Sequence, residues 1–182
     1  MISANFLLVQ YVGPYSINQL GGDLITVSWL YVNLSVSVAV GHLVLTRNLA
    51  SIVSPQTALP WSLGALACAL LGVTYSSSII ELHLTVAIAM LCCAVAYTNV
   101  FAYLSNQVGA DQQGEIMGLG VATQCLAEWI PPLAVGIFAI SYPHLPILAG
   151  ALACILALTT LWFEKNLSTS AFKNEIQSKL NF

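Results

Sequence analysis

The amino-acid sequence predicts an all-α, polytopic membrane protein with six transmembrane helices, and three observations carry that prediction. First, 58% of the 182 residues are apolar, only 6% are charged, and the mean hydropathy is +0.86. Soluble domains average roughly 45–50% apolar and 25% charged residues. Four cations and seven anions cannot build a solvated surface. This excludes a soluble globular enzyme, a disordered chain, a collagen-like fibre and a basic nucleic-acid binder, each of which needs a polar or charged face. Second, the apolar residues fall into six runs, each near the ~20 residues that cross a bilayer. Third, ten of the eleven charged residues lie outside those runs, as expected where an ion at mid-bilayer costs several kcal/mol.

Each element follows from its apolar run and its punctuation. Residues 4–20 form the first span: Met1 to Asn5 offers no basic leader and no small-residue cleavage pattern, so this stretch is expected to be a permanent span. Gly21, Gly22 and Asp23 break it. The second span, 26–45, ends in the polar segment Thr46 to Ala58. The third, 60–75, begins at Pro60 and gives way to Ser76 to Leu82. The fourth, 83–104, is the longest apolar stretch before the polar segment Ser105 to Glu115. The fifth, 116–140, ends at the Ser141-Tyr142-Pro143-His144 turn, and the sixth covers 145–163. Such short connections force neighbouring spans to run antiparallel. Residues 164–182 read as a cytoplasmic tail, solvated or interfacial, in which Phe172, Ile176 and Leu180 form one weak apolar stripe.

Orientation follows from the excess of lysine and arginine on the cytoplasmic side. Arg47 follows the second span, and Lys165, Lys173 and Lys179 follow the sixth. With six crossings these regions share one side, so both termini are expected to be cytoplasmic.

Glu128 is the one charged residue inside a span, and an ionisable group there is a functional candidate by default. Gln124 lies one turn earlier on the same helix face. A carboxyl in that position can exchange a proton and so couple proton movement to solute movement; alternatively, it is a hydrogen-bonded acid that only joins helices. His42 is a second candidate for proton coupling, with an interhelical hydrogen bond as its alternative role. Asn18 and Asn33 are polar groups on the first two spans that must turn toward protein or water, and Tyr97 on the fourth is suited to lining a path for an organic molecule, with core packing as its alternative role. Gly114 and Gly118 form a small-x-x-x-small pair that would admit a close neighbour. Pro131, Pro132 and Gly136 would kink the fifth span.

No phosphate-binding loop, zinc helix or serine-nucleophile turn occurs in the sequence, so no enzymatic activity, metal or cofactor is expected. The five cysteines are odd in number, lack Cys-x-x-Cys spacing and sit in apolar stretches. They read as small core residues.

The segment Leu104-Ser105-Asn106-Gln107-Val108-Gly109-Ala110-Asp111-Gln112-Gln113-Gly114-Glu115-Ile116-Met117-Gly118, followed by Ile130-Pro131-Pro132-Leu133-Ala134-Val135-Gly136, resembles the tenth-to-eleventh helix region of major facilitator superfamily transporters. The similarity is closest to the drug:proton antiporters that include tetracycline-type exporters. Pro131 stands where that family carries glycine, and Arg47 is alone in a loop where relatives carry several basic residues. The resemblance extends along the chain as the carboxyl-terminal six-helix half. It implies one wall of a secondary transporter in a bacterial inner membrane, with Gln10, Asn18, Asn33, Tyr97, Gln124 and Glu128 as candidates to line the cavity, moving a small organic solute outward in exchange for protons with Glu128 as the coupling candidate. Family transporters rock two such halves about a midplane site. A single half is therefore expected to pair with another half, to self-associate, or to be a non-transporting subunit or inactive remnant of a longer transporter gene.

Overall fold

The protein, represented by a computed structural model, is described over residues 1–139 and 141–180, with side chains placed for all of these except 137 and 164–180. The described residues form six helices and no strand: α1 (Ile2–Leu20), α2 (Leu24–Ala50), α3 (Pro55–Thr74), α4 (Ile79–Ser105), α5 (Gln113–Ala139) and α6 (Leu145–Leu180). The expected all-α architecture is thus observed. Four of these helices, α2, α3, α4 and α6 as far as Phe163, are long and apolar enough to cross a membrane. Helices α1 and α5 lie outside that set; the first carries Asn5, Gln10, Asn18 and Gln19, the second Gln113, Glu115, Gln124 and Glu128.

Local chemistry explains the ends. Gly21 takes the left-handed conformation (φ 67°) that closes α1, which glycine adopts without a Cβ penalty. Asp23 then caps α2, accepting from the Thr26 backbone N–H at 2.8 Å and its hydroxyl at 2.7 Å. Those bonds hold its carboxyl below its ordinary range, the Thr26 hydroxyl contributing most. Ser78 accepts from the Glu81 N–H at 3.2 Å while the Glu81 carboxylate accepts from the Ser77 N–H at 2.9 Å, a reciprocal cap at the start of α4.

Several boundaries differ from the sequence expectation for the same reason. The backbone hydrogen-bond ladder of a helix runs on past its apolar run wherever the flanking polar residues tolerate helical geometry. Thus α2 runs on through Thr46 to Ala50, α3 starts at Pro55 behind Ser54 rather than at Pro60, and α5 starts at Gln113 rather than Ile116. Proline suits the first helical position because it has no N–H to satisfy there. The last helix continues past the expected end of the sixth span to Leu180; the stripe of Phe172, Ile176 and Leu180 lies outside the described side chains, and Ile140, Asn181 and Phe182 lie outside the described residues.

The core is built from five of the six helices: Leu8 and Val12 of α1, Leu30 and Leu34 of α2, Leu66 and Leu70 of α3, Val86 and Met90 of α4, and Ile147 and Cys154 of α6. Helix α5 contributes no buried residue among its described side chains. The contacts follow a pattern of three plus three. Helix α1 packs on α2, α5 and α6, and α4 packs on α5, α2 and α3, while α3 packs on α6 and α1 on α4. Helix α5 also packs on α6. Exchanging α1 with α4, α2 with α5 and α3 with α6 returns each of these contacts except that last one. Helices α1 and α4 therefore sit between α2 and α5 on one side, with α3 and α6 behind them.

Glycine marks the closest crossings, but not where expected. A Cβ added at Gly41 would lie 2.6 Å from that of Ala94, joining α2 to α4, and one at Gly150 would lie 3.1 Å from the Ala4 Cα, joining α6 to α1. At Gly114 and Gly118 a Cβ would meet nothing within 4 Å, so the close approach expected there does not form. The reason is their place on the exposed side of α5, off the half-buried stripe that holds Ile116 and Gly120. Likewise Cys93 and Cys154 are buried, whereas Cys68 and Cys125 are exposed, correcting the expectation of five core cysteines. All five thiols are free. An apolar exterior removes the penalty that would draw every cysteine inward.

Candidate functional site

Four of the sequence candidates meet where α2, α4 and α5 converge. The Tyr97 hydroxyl of α4 donates to Gln124 Oε1 at 3.0 Å, and Gln124 Nε2 donates to Glu128 Oε1 at 2.8 Å. On the other side of Tyr97 the His42 ring of α2 stands edge-on, with ring centroids 6.0 Å apart. His42 Nδ1 lies 3.2 Å from the Thr98 hydroxyl, which itself donates to the Ala94 carbonyl at 3.1 Å. A hydroxyl has one hydrogen. With that hydrogen directed at Ala94, Thr98 accepts from His42 Nδ1–H, leaving Nε2 as the proton-accepting nitrogen. Phe101 closes the cluster at 4.9 Å from Tyr97.

The chain of donors has a direction. Tyr97 gives to Gln124 and Gln124 gives to Glu128, so Glu128 is the terminal acceptor. Hydrogen bonds to an ionised carboxylate are roughly twice as strong as those to neutral acceptors. The chain is tighter when Glu128 is ionised and looser when it is protonated, and Tyr97 carries that difference into α4. At 1.5 Å per residue, Glu128 lies about 22 Å from the Gln113 end of a helix about 40 Å long, near its middle.

Helix α5 explains how a carboxyl comes to face the bundle. Its half-buried positions are Ile116, Gly120, Gln124, Ala127, Glu128, Pro131, Pro132, Val135, Gly136 and Ala139, a stripe repeating every three to four residues. Its outward residues are apolar: Leu126, Trp129 and Leu133 are 61%, 69% and 70% exposed. Small and polar residues face in, and large apolar ones face out. That inversion suits a helix whose outer solvent is hydrocarbon.

Pro131 and Pro132 lie within the single assigned helix α5. The Tyr11 hydroxyl of α1 reaches the Pro132 carbonyl at 3.4 Å, and a Cβ at Gly136 would come within 2.9 Å of the same hydroxyl. Tyr11 thereby fits between Pro132 and Gly136, one turn apart.

The remaining candidates stand apart from the chain. Gln10 and Asn18 are exposed and share the stripe of α1 with Pro14 and Ile17; among the described residues no hydrogen bond joins them to it. That stripe lies between Val9, whose carbonyl accepts from Tyr31 of α2 at 3.1 Å, and Tyr11, which contacts α5, so it shares the side that Tyr97 faces. Asn33 does not. The buried stripe Leu30, Leu34, Ser37 and Gly41 faces α4; Asn33 precedes Leu34 and His42 follows Gly41, about 100° to either side. Asn33 instead donates to the His83 carbonyl at 2.7 Å, tying α2 to α4 beside an open groove of about 750 Å³ shared with Trp29, Ile80 and Leu84.

Sequence reasoning passed over Thr98, Tyr11 and Gly41. Thr98 and Tyr11 are polar groups in apolar stretches, the same signal that marked Tyr97, and Gly41 is a lone glycine in mid-span, where close packing is the usual cause. No protein-family model matches the chain, and no curated protein matches it.

Proposed function

We propose that the protein is a six-span bundle of the major facilitator type that forms one wall of a secondary transporter, moving a small organic solute out of the cell in exchange for protons. Glu128 is the coupling carboxyl and His42 a second proton carrier; Gln10, Asn18, Tyr97 and Gln124 line the path. The observation that carries this reading is the Tyr97–Gln124–Glu128 chain, because it makes the contact between two helices depend on the protonation of one group. The three-plus-three contact pattern, which holds for every contact but that of α5 with α6, supports it, since internal repeats are common in secondary transporters. So does the exposure of Gln10, Asn18 and His42 on one side: in a bilayer these groups face water or a protein partner, not hydrocarbon. That partner is a second six-helix bundle, either another chain or a copy of this one. The distribution of basic residues favours both termini on the cytoplasmic side, and the family resemblance favours a bacterial inner membrane.

The test is uptake of tetracycline into acid-loaded proteoliposomes that contain the full chain. The expected result is uptake driven by the proton gradient and abolished in Glu128→Gln with no loss of folded protein. Flux from the lone chain excludes the inactive-remnant reading. Gradient-independent behaviour, or a Glu128→Gln variant that still follows the gradient, removes the coupling role.

A further inference from the structure

Helix α2 is not uniform. Between Gly41 and Thr46 it widens into a π turn, then returns to α geometry for Arg47–Ala50. Such a turn holds one residue more than an α turn, and it persists only where something keeps it open. Two groups do so here. The Thr46 hydroxyl donates to the Gly41 carbonyl at 2.9 Å, five residues back. The other hydroxyls that bond along these helices reach three or four residues back, as Ser35 does to Tyr31 and Thr98 to Ala94, so the Thr46 bond belongs to the widened turn. At the other end, Gly41 lies so close to α4 that an added Cβ would stand 2.6 Å from that of Ala94. The start of the turn is locked, and its slack falls on the residues that follow.

The first of those residues is His42. We infer that Thr46 is a positioning residue: by holding Gly41 to Thr46 as a π turn, it sets the His42 imidazole against Thr98 and the edge of Tyr97. If the turn relaxed to α geometry, losing one residue of slack would rotate the following segment by about 100°. Because Gly41 cannot move, the change falls on the chain from His42 onward, and the ring leaves Thr98. Helix α2 would then lose its contact with the Tyr97 end of the polar chain. The significance of this for transport rests on the proposed role of His42; the positioning itself does not.

The test uses the full chain in nanodiscs and diethyl pyrocarbonate as the probe, with modification of His42, His83 and His144 read separately by mass spectrometry. Thr46→Val keeps the branched shape and removes the hydroxyl. It is expected to raise the His42 rate about fivefold, the factor for one neutral hydrogen bond of about 1 kcal/mol, with His83 unchanged. Thr46→Ser is expected to restore the original rate. Thr98→Val, which leaves the turn intact, is expected to match Thr46→Val, and the double variant to be no faster than either. An unchanged His42 rate in Thr46→Val overturns the inference; so does a rise shared by all three histidines, which reports general loosening, and so do additive single effects. A His42 response without any gradient-driven uptake leaves the positioning intact and removes the transport reading instead.

Discussion

Helices α4 and α5 are each 27 residues long, yet the bundle treats them differently. Helix α4 buries nine residues, from Leu82 to Asn99, and lies at the centre of the core. Helix α5 buries none among its described side chains, and its largest apolar residues point outward. It packs on α6 and meets α1 and α4 through Tyr11 at Pro132, Phe101 at Gly120 and Tyr97 at Gln124. The comparison teaches that apolar content alone does not place a helix in this protein. Position follows from which residues form the inward stripe, and an inward stripe of small and polar groups makes a contact that can change without opening the core.

The largest test of that contrast is to truncate one residue in each helix. Met90, 1% exposed in α4, is expected to cost about 3 kcal/mol on replacement by alanine, whereas Leu133→Ala on the outer face of α5 is expected to cost under about 0.5 kcal/mol. Reversible unfolding in mixed micelles measures both, and equal losses would break the distinction. Next is Gly41→Ala, where the new methyl collides with Ala94; overpacking of this kind is expected to cost about 2 kcal/mol. Tyr97→Phe is smaller, about 1 kcal/mol, because one hydrogen bond is lost and Gln124 keeps its bond to Glu128. If Tyr97→Phe and Glu128→Gln prove additive in a double-mutant cycle, the chain is not a coupled unit.

Gly118→Ala is expected to act in the opposite direction. Nothing meets the added methyl, so the gain in helix propensity, at most about 1 kcal/mol, should be realised; a loss would show that a neighbour does approach α5 there. The smallest effect belongs to Asp23. Its carboxyl is held below the ordinary value by Thr26, so its contribution is present above that value and is lost as the pH falls through the lowered one. Melting of the wild type against Asp23→Ala should differ at neutral pH and converge once the pH has fallen through the lowered value.

Residue chemistry alone determined the solvent of this protein, the number of helices and which polar side chains could form a site. The solvent was legible because eleven charges cannot cover 182 residues, and the helices because apolar runs were separated by Gly21-Gly22-Asp23, Ser76 to Ser78 and Ser141 to His144. Glu128 and Gln124 were legible together because their spacing of four fixes a shared helix face. Only the tertiary structure decided which side chains meet. Asn33 and His42 both lie on α2 beside α4, but they fall on opposite flanks, a distinction set by the rotation of one helix against another. Gly41 and Gly150 became the close crossings, and Gly114 and Gly118 did not, because a glycine's role depends on where a second backbone passes. The π turn at Gly41 to Thr46 was equally hidden: a one-residue excess in a helix is stabilised by a neighbour's fit, which a one-dimensional pattern does not contain.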